Sequence, residues 1–496
     1  MVDNLRNKTI NSVVWSAYEK FGSQFIAFII SVMLARQLSP EIFGLIAMLN
    51  IFLAVGQQFV DSGFGSALIQ RKNTTEEHYS SVFYFNIILG FIIAIILWLS
   101  APLIASFFEQ EILTSLTRVL SIKFIILPFG LIQMNLLMKD LDFKARTKVN
   151  IASTTLSGTI GIVMAYTGFG VWSLVVKMIA KDIFNSVFLW NFNNWRPSKT
   201  FSFKAIKELF SFGSKMFASG FLNVIFTNIY QLIIGKIFSP VILGYYTKAR
   251  TIEQMPTRNI SAIVSSVTFS SFSKIQDDRL RLKKGIKVSV NFLMYINFPL
   301  MIGLAVVARP FVIVLLTEKW LPIVPYIQIL CLSGILFPLQ VMNLNLLKAK
   351  GRSDLFFRLE IFKKILTILN ILIASRIGII ALIWGQVVVS YIAYYINAYF
   401  TGKFINYSIV DQLKDIFPYL LQAVFMGLVV YSIGFISFFS TFILLVVQVF
   451  VGVIIYLLIS YIFRVTVFYD ILGLLFEHVH FLNKFKGKYF KGGNND

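Results

Sequence analysis

The stretch LARQLSPEIFG (residues 34–44) recurs as IGKIFSPVILG (residues 234–244), 200 residues further along the chain and without a gap. Both copies keep a basic residue, a Ser-Pro pair, an isoleucine and a final glycine at the same spacing. Because proline fits the first turn of a helix, each Ser-Pro pair predicts a tight turn that starts a new helix. The duplication indicates two half-chains that begin alike, and we expect the turn to separate helices rather than to form a site.

Composition places the chain in a membrane. Of its 496 residues, 57% are hydrophobic and 14% are charged, and the mean hydropathy is +0.77. A soluble domain would carry about a quarter charged residues. Apolar runs of about 20 residues recur from end to end, and a helix of that length crosses the hydrocarbon core. The fold class predicted is an all-α polytopic membrane protein, and the polar N-terminus predicts no cleavable signal peptide.

We predict fourteen transmembrane helices in two six-helix lobes related by a pseudo-two-fold axis along the membrane normal, followed by two C-terminal helices. The predicted spans lie near 10–35, 42–62, 82–104, 115–137, 149–167, 170–190, 212–236, 241–268, 286–308, 322–347, 355–375, 379–400, 416–437 and 439–463. The corresponding domains are an N-terminal lobe (1–205), a C-terminal lobe (206–402), and the two extra helices with a basic tail (403–496).

Lysine and arginine predict the orientation. Of the 45 basic residues, 29 fall in segments on the side of the N-terminus, 5 fall on the opposite side and 11 lie within spans. Because cytoplasmic loops collect Lys and Arg, this asymmetry predicts that both termini are cytoplasmic. All connecting loops are short, so no separate soluble domain is expected.

Polar residues follow a four-residue spacing on the helices that precede the two turns. This spacing gives each apolar helix one polar face. The stripes are Ser12, Ser16, Lys20 and Gln24 in the first span, and Lys215, Ser219, Asn223, Thr227 and Gln231 in the seventh. We predict that Gln24, Ser219, Asn223, Thr227 and, on the eighth span, Gln254 line a polar cavity.

Basic residues inside the spans point to the cargo. A charge at the bilayer centre costs about 2.5–3.5 kcal/mol on insertion scales, so it normally faces a cavity or a partner. Lys20 lies near the middle of the first span, and the eighth span carries the remaining candidates. Since Lys and Arg donors match phosphate oxygens, a cation-lined cavity favours an anionic cargo. The predicted substrate-binding residues are Lys20, Lys248, Arg250 and Arg258.

Two other interpretations of these charges stay open. Arg250 and Glu253 lie three residues apart on one helical face, so they could form a purely structural ion pair. An intramembrane carboxylate could instead couple transport to protons or sodium, and Glu253 and Asp61 are the candidates. For Asp61, termination of its helix by Gly63 is the simpler explanation.

Catalytic, metal and cofactor sites find no support in the residue pattern. The three histidines, His78, His478 and His480, lie outside the predicted spans, so no nucleophile–histidine pair is expected in the membrane. Without a His/Cys/carboxylate cluster a metal site is not predicted, and Cys331 suits an apolar helix as a small hydrophobic residue. The prediction is a protein that is not an enzyme, with no cofactor, no metal and no nucleic-acid partner.

The sequence resembles bacterial polysaccharide flippases of the multidrug/oligosaccharidyl-lipid/polysaccharide exporter superfamily. It is most similar to the branch that contains colanic-acid and teichuronic-acid exporters. The resemblance covers about residues 10–400 and rests on motifs in this order: 34–48, FVDSGFGSALIQR (59–71), LMKDLDFK (137–144), GFGVWSLV (168–175), GYYTKAR (244–250), FSKIQDD (272–278), EKWLP (318–322) and KAKGRSD (348–354).

This resemblance implies a central cavity that opens alternately to each side of the membrane. It implies that undecaprenyl-pyrophosphate-linked oligosaccharide moves from the inner to the outer leaflet of a bacterial cytoplasmic membrane, for exopolysaccharide, capsule or O-antigen-type assembly. The implied partners are the lipid-linked glycan, the bilayer, a possible coupling ion and the polysaccharide polymerase machinery. A multidrug or peptidoglycan-precursor transporter of the same superfamily is the alternative.

Overall fold

The computed structural model of the chain describes residues 22–436 and 439–473, and at 262–267, 269–271 and 274 it describes the backbone alone. Every regular element in this part of the chain is helical. The α-helices, in chain order, are α1 (22–37), α2 (Pro40–Asp61), α3 (Phe64–Gln70), α4 (Glu76–Phe108), α5 (Ile112–Ser121), α6 (Lys123–Lys139), α7 (Phe143–Tyr166), α8 (Val171–Phe192), α9 (Phe203–Ile237), α10 (Pro240–Lys274), α11 (Arg279–Leu316), α12 (Val324–Ala349), α13 (Ser353–Ala374), α14 (Ile379–Ile405), α15 (Ile409–Ile433), α16 (Thr441–Ile462) and α17 (466–473). A 3₁₀ turn, Glu318–Ile323, precedes α12.

Most observed helices extend beyond the predicted spans, and two spans differ in another way. The fourth, predicted as one helix, is two helices, α5 and α6, that meet at Ile122. The Ser121 hydroxyl donates to the Arg118 carbonyl at 2.7 Å and competes with the regular helical bond there. The thirteenth was predicted to reach residue 437, but α15 ends at Ile433, where the Gly434 N–H bonds to the Tyr431 carbonyl in a tighter turn.

Ten helical segments among the described residues are long and apolar enough to cross a membrane. They include α5 and α6 taken together, and the 3₁₀ turn taken with α12. Four other predicted spans correspond to α1, which is described only in part, and to α8, α10 and α13, which carry several charged residues. The all-helical polytopic membrane fold is confirmed, and charge explains why apolarity alone finds fewer spans than were predicted.

The chain divides into two compact units, one ending at Thr247 and one beginning at Lys248. In the first unit, α7 packs on α8, α4 packs on α5 and α6, and α9 packs on α2 and α3. In the second, α11 contacts α12, α15 and α16, and α14 contacts α12 and α13. Because α9 packs on α2, it lies in the first unit. The predicted lobe boundary at 205/206 stays a prediction.

The two copies of the repeated turn contact each other within the first unit. Helices α2 and α10 begin at Pro40 and Pro240, which confirms the predicted helix starts. A Cβ atom at Gly44 would lie 1.8 Å from the Pro240 carbonyl oxygen, and one at Gly244 would lie 1.9 Å from that of Pro40. Only glycine lets the backbones approach so closely. The glycine of each copy therefore packs directly against the backbone of the proline in the other copy.

Candidate functional site

Part of the polar face of α10 is buried within the second unit. The Lys248 side chain is only 7% exposed, and its ammonium nitrogen lies 5.8 Å from the centre of the fully buried Trp320 ring. A cation over an indole face gains about 0.5–2 kcal/mol, depending on its desolvation. Lys248 is therefore held at a defined place in the fold, and its stem does not extend freely towards an interface.

Glu253 occupies a notch made by a glycine. Its side chain is 6% exposed, and a Cβ atom at Gly334 of α12 would lie 2.4 Å from its Oε1 atom. Thr257, one turn further along α10, is also buried and donates its hydroxyl to the Glu253 carbonyl at 3.2 Å. The structural Arg250–Glu253 ion pair considered above stays a hypothesis.

The arginines of α10 differ in their surroundings. Arg250 and Gln254 are half-buried, whereas Arg258 is exposed. The helical spacing placed these residues on one broad face, and the structure divides that face into a buried edge with Glu253 and an accessible edge with Arg258. Lys20, the remaining predicted cation, lies outside the described residues.

The polar stripe of α9 is exposed. Ser219, Asn223 and Thr227 all have accessible side chains. The opposite face packs on α2, where Phe59 makes edge contacts with Phe217 and Phe221 at ring-centre distances of 4.9 and 5.7 Å. The accessible stripe is thus one side of a helix whose other side is anchored.

Gln231, the last residue of the polar stripe on α9, contacts α2. The Asn50 amide donates to Gln231 Oε1 at 3.4 Å, so the last residue of the stripe is tied to α2. On α1, Gln24 is half-buried and has interactions of its own.

Asp61 ends α2, as the simpler explanation of its position predicted. Ser62 and Gly63 follow it with φ angles of +49° and +73°. A Cβ atom at Gly63 would lie 2.3 Å from the Gly213 carbonyl oxygen, so this turn requires glycine for its conformation and for its contact with α9. Asp61 itself is half-buried, and a coupling role for it stays a prediction.

A buried ion pair in the first unit was not predicted. Lys123 Nζ on α6 lies 3.3 Å from Asp182 Oδ2 on α8, and both side chains are mostly buried. The predicted spans did not indicate this pair, because their starts at 115 and 170 put the two residues at unequal offsets. In the structure, Lys123 lies eleven residues after the start of α5, and Asp182 lies eleven residues after the start of α8. In two spans that cross in the same direction, equal offsets imply equal depth.

Charges outside the spans form ordinary surface pairs. Lys236 donates to Glu109 Oε1 at 2.8 Å, and this bond lowers the pKa of the exposed Glu109 carboxyl. Exposed pairs of this kind contribute little to stability. Among the described residues no group of three or more His, Cys, Asp or Glu side chains could hold a metal ion.

The all-helical fold, its many apolar spans and the charges inside them define a multi-pass membrane protein. The sequence matches the family model described as "Polysaccharide biosynthesis protein" over residues 33–325. The chain therefore belongs to the polysaccharide biosynthesis protein family, which confirms the family resemblance found in its motifs.

Individual relatives agree with this assignment. The chain is 30% identical to the teichuronic acid biosynthesis protein TuaB of Bacillus subtilis (strain 168), over 76% of this chain and 79% of that protein. It is 28% identical to the lipopolysaccharide biosynthesis protein WzxC of Escherichia coli (strain K12), over 76% and 77% of the two chains. The fold is similar to that of the lipid II flippase MurJ in an inward closed conformation. That similarity has a TM-score of 0.75 at 16% identity, over 91% of this chain and 98% of that one.

Proposed function

We propose that this protein is a flippase for undecaprenyl-pyrophosphate-linked oligosaccharide repeat units. It moves them from the inner to the outer leaflet of a bacterial cytoplasmic membrane by alternating access, for exopolysaccharide, capsule or O-antigen-type assembly. Both termini are cytoplasmic in this proposal. Fourteen spans form two pseudo-symmetric lobes (1–205 and 206–402) and two further helices, and parallel repeats of this kind suit a cargo site near the middle of the membrane.

The observation that carries the proposal is the charge of α10. Between residues 248 and 258 this helix has three basic residues, Lys248, Arg250 and Arg258, and one acid, Glu253. A surplus of cations inside a span is unfavourable unless anions approach it. Pyrophosphate oxygens satisfy guanidinium donors in two-pronged contacts. We assign Arg250, Arg258 and Lys20 to direct contact with the pyrophosphate. Lys248, held by Trp320, contributes a positive electrostatic potential that attracts an anion.

The sugars of the cargo need a hydrated, hydrogen-bonding surface. We assign this role to the accessible stripe of Ser219, Asn223 and Thr227, with contributions from Gln24 and Gln254. Hydroxyl and amide side chains can both donate to and accept from sugar hydroxyls. Glu253 and Asp61 are the residues that could link transport to a proton or sodium gradient.

The test is to neutralise the cations singly in cells that depend on this gene for surface polysaccharide. Lys20→Gln, Arg250→Gln and Arg258→Gln should each lower surface polysaccharide at least tenfold at equal membrane levels of protein. Arg376→Gln, which removes an exposed cation from the turn between α13 and α14, is the matched control and should change nothing. Unaltered polysaccharide in all three variants would contradict the cation-lined cavity.

Two alternatives within the superfamily predict other results. A multidrug transporter should confer drug resistance that depends on an acidic residue such as Glu253 and is indifferent to Arg258→Gln. A peptidoglycan-precursor transporter should restore growth when a host loses its own lipid II flippase. The basic surplus of α10 and the names of the polysaccharide relatives favour an oligosaccharide cargo over both.

A further inference from the structure

A pocket of about 490 Å³ opens in the first unit between α4 and the junction of α5 with α6. Its walls are apolar and largely accessible: Leu99 is 62% exposed and Ile95 is 57% exposed. Such side chains on a membrane-spanning helix face lipid when protein does not cover them. The lining residues used below are Phe91, Ile95, Trp98, Leu99, Arg118 and Ile122. The volume lies in the range of about 300–1,000 Å³ that is usual for ligand pockets.

One charged residue lines this pocket. The guanidinium carbon of Arg118 lies 4.6 Å from the centre of the Trp98 ring. Its Nε atom is buried without a hydrogen-bond partner, and no described carboxylate pairs with it. Lys123, on the next helix, forms an ion pair with Asp182, so the charge of Lys123 is neutralised and the charge of Arg118 is not neutralised by a described residue. Ser121, another polar lining residue, already donates its hydroxyl to the Arg118 carbonyl.

The position of Arg118 suits a lipid headgroup. It lies six residues after the start of α5, which is roughly 9 Å of helix at a rise of about 1.5 Å per residue. The hydrocarbon core is about 30 Å thick, so this depth lies below the interface of the leaflet next to the 109–111 loop. From this depth the long arginine side chain can extend towards the interface, where the lipid phosphates lie.

The energetics leave room for a ligand. Stacking on Trp98 offsets about 0.5–2 kcal/mol of the unfavourable transfer of the guanidinium, against about 2.5–3.5 kcal/mol at the bilayer centre. The stacked ring covers one face of the guanidinium and leaves its edge, which carries the N–H donors, without a described partner. Two phosphate oxygens fit that edge of the guanidinium in a bidentate contact. A lysine ammonium at the same position would offer only a point charge.

We propose that this pocket binds an anionic glycerophospholipid from the surrounding bilayer. The lipid phosphate contacts the Arg118 guanidinium beside Trp98, and one acyl chain follows the groove of Phe91, Ile95, Leu99 and Ile122. Charge complementarity selects the headgroup and the apolar groove selects the chain. The site lies within the first unit and does not depend on the cargo proposed above.

The test uses the full-length protein in detergent, titrated with single lipids while bound lipid is counted by native mass spectrometry. Phosphatidylglycerol should bind at least tenfold more tightly than phosphatidylcholine or diacylglycerol of the same chains. Arg118→Gln should weaken phosphatidylglycerol binding at least tenfold, and Arg118→Lys should weaken it less. Lys181→Gln, which removes an exposed intramembrane cation from α8, is the matched control and should leave binding unchanged.

A second variant keeps the proposal testable if Arg118→Gln does not fold. Leu99→Trp retains the charge but fills the groove, and it should also weaken phosphatidylglycerol binding at least tenfold. Equal binding of phosphatidylglycerol and phosphatidylcholine would overturn the anionic assignment. Equal binding to Leu99→Trp and the parent protein would overturn the groove. A thermal stabilisation by inorganic phosphate that matches the one by phosphatidylglycerol would overturn the lipid as the source.

Discussion

Helices α9 and α10 follow one another in the chain and carry polar residues at the same helical spacing, yet their polar faces have opposite environments. Ser219, Asn223 and Thr227 on α9 are accessible, whereas Glu253 and Thr257 on α10 are buried. The period of a pattern predicts which residues share a face. It does not predict whether that face meets protein or an open space.

The difference arises from what lies opposite each helix. α9 turns its aromatic and glycine residues to α2 and α3, where Phe217 contacts Phe59 and Gly213 contacts Gly63, so its polar stripe is left outside. α10 turns its polar edge to the second unit, where Gly334 makes room for the Glu253 carboxylate and Trp320 lies beneath Lys248. We infer that the accessible residues of both helices are the candidates for direct cargo contact, whereas Lys248 and Glu253 would act on transport from buried positions.

The largest effect is expected where α10 begins. Gly244→Ala would place a Cβ atom 1.9 Å from the Pro40 carbonyl oxygen, and a backbone atom cannot rotate away. Overpacking of this severity should lower the free energy of unfolding by about 3 kcal/mol. The measurement is the temperature at which detergent-purified protein leaves its monodisperse size-exclusion peak.

The control for this prediction is Gly303→Ala on α11, where the nearest atom to an added Cβ, Met426 Cε, is 3.8 Å away. That variant should unfold within a degree or two of the parent. If Gly244→Ala and Gly303→Ala unfold at the same temperature, the two copies of the turn do not depend on backbone contact.

A smaller loss of stability is expected where the buried edge of α10 packs against Gly334 of α12. Gly334→Ala would place a Cβ atom 2.4 Å from Glu253 Oε1 and should destabilise the protein by about 2 kcal/mol. In a Glu253→Ala background the same change should cost less than about 1 kcal/mol, because the clashing carboxylate is gone. Thermal unfolding of the two single variants and the double variant measures this coupling, and strictly additive effects would show that Glu253 does not fill the notch.

The smallest effect on stability is expected for the stripe of α9. Asn223→Ala and Ser219→Ala should change the folding free energy by no more than about 0.5 kcal/mol, because both side chains are accessible. The same variants should reduce polysaccharide export if the stripe binds sugar. Phe217→Ala, on the packed face of α9, should instead lower the unfolding temperature clearly, because it removes the ring contact with Phe59. If a stripe variant unfolds at a clearly lower temperature but exports polysaccharide normally, the stripe of α9 stabilises the fold and does not bind the cargo.

Much of the helix pattern could be predicted from the sequence. The start of α2 at Pro40 and of α10 at Pro240 follows from proline at the first helical position. The junction at Ile122 was missed because the run around Ser121 contains no proline or glycine that would predict a break. The Lys123–Asp182 pair was missed because the equal offsets of the two residues appear only when the structure gives the starts of α5 and α8.

The candidate site was less predictable. Spacing grouped Lys248, Glu253 and Arg258 on one helix, but the cation–π contact with Trp320 and the notch at Gly334 come from residues about 70–80 positions away. Such contacts depend on how helices pack, and a single sequence contains no direct record of packing. The Arg118 pocket is a similar case, because Trp98 belongs to a different helix from the arginine that it stacks on.

By itself, the sequence determined the membrane environment, the positions of most helices, the duplication of the Ser-Pro turn and the family. These properties follow from local composition, helical periodicity and motif order, which neighbouring residues along the chain define. The tertiary structure alone decided that Gly44 and Gly244 seat each other's prolines, that Glu253 is enclosed and that the stripe of α9 is accessible. The physical reason is that burial and close backbone contact belong to pairs of helices, and a helix cannot encode in its own pattern which surface it will meet.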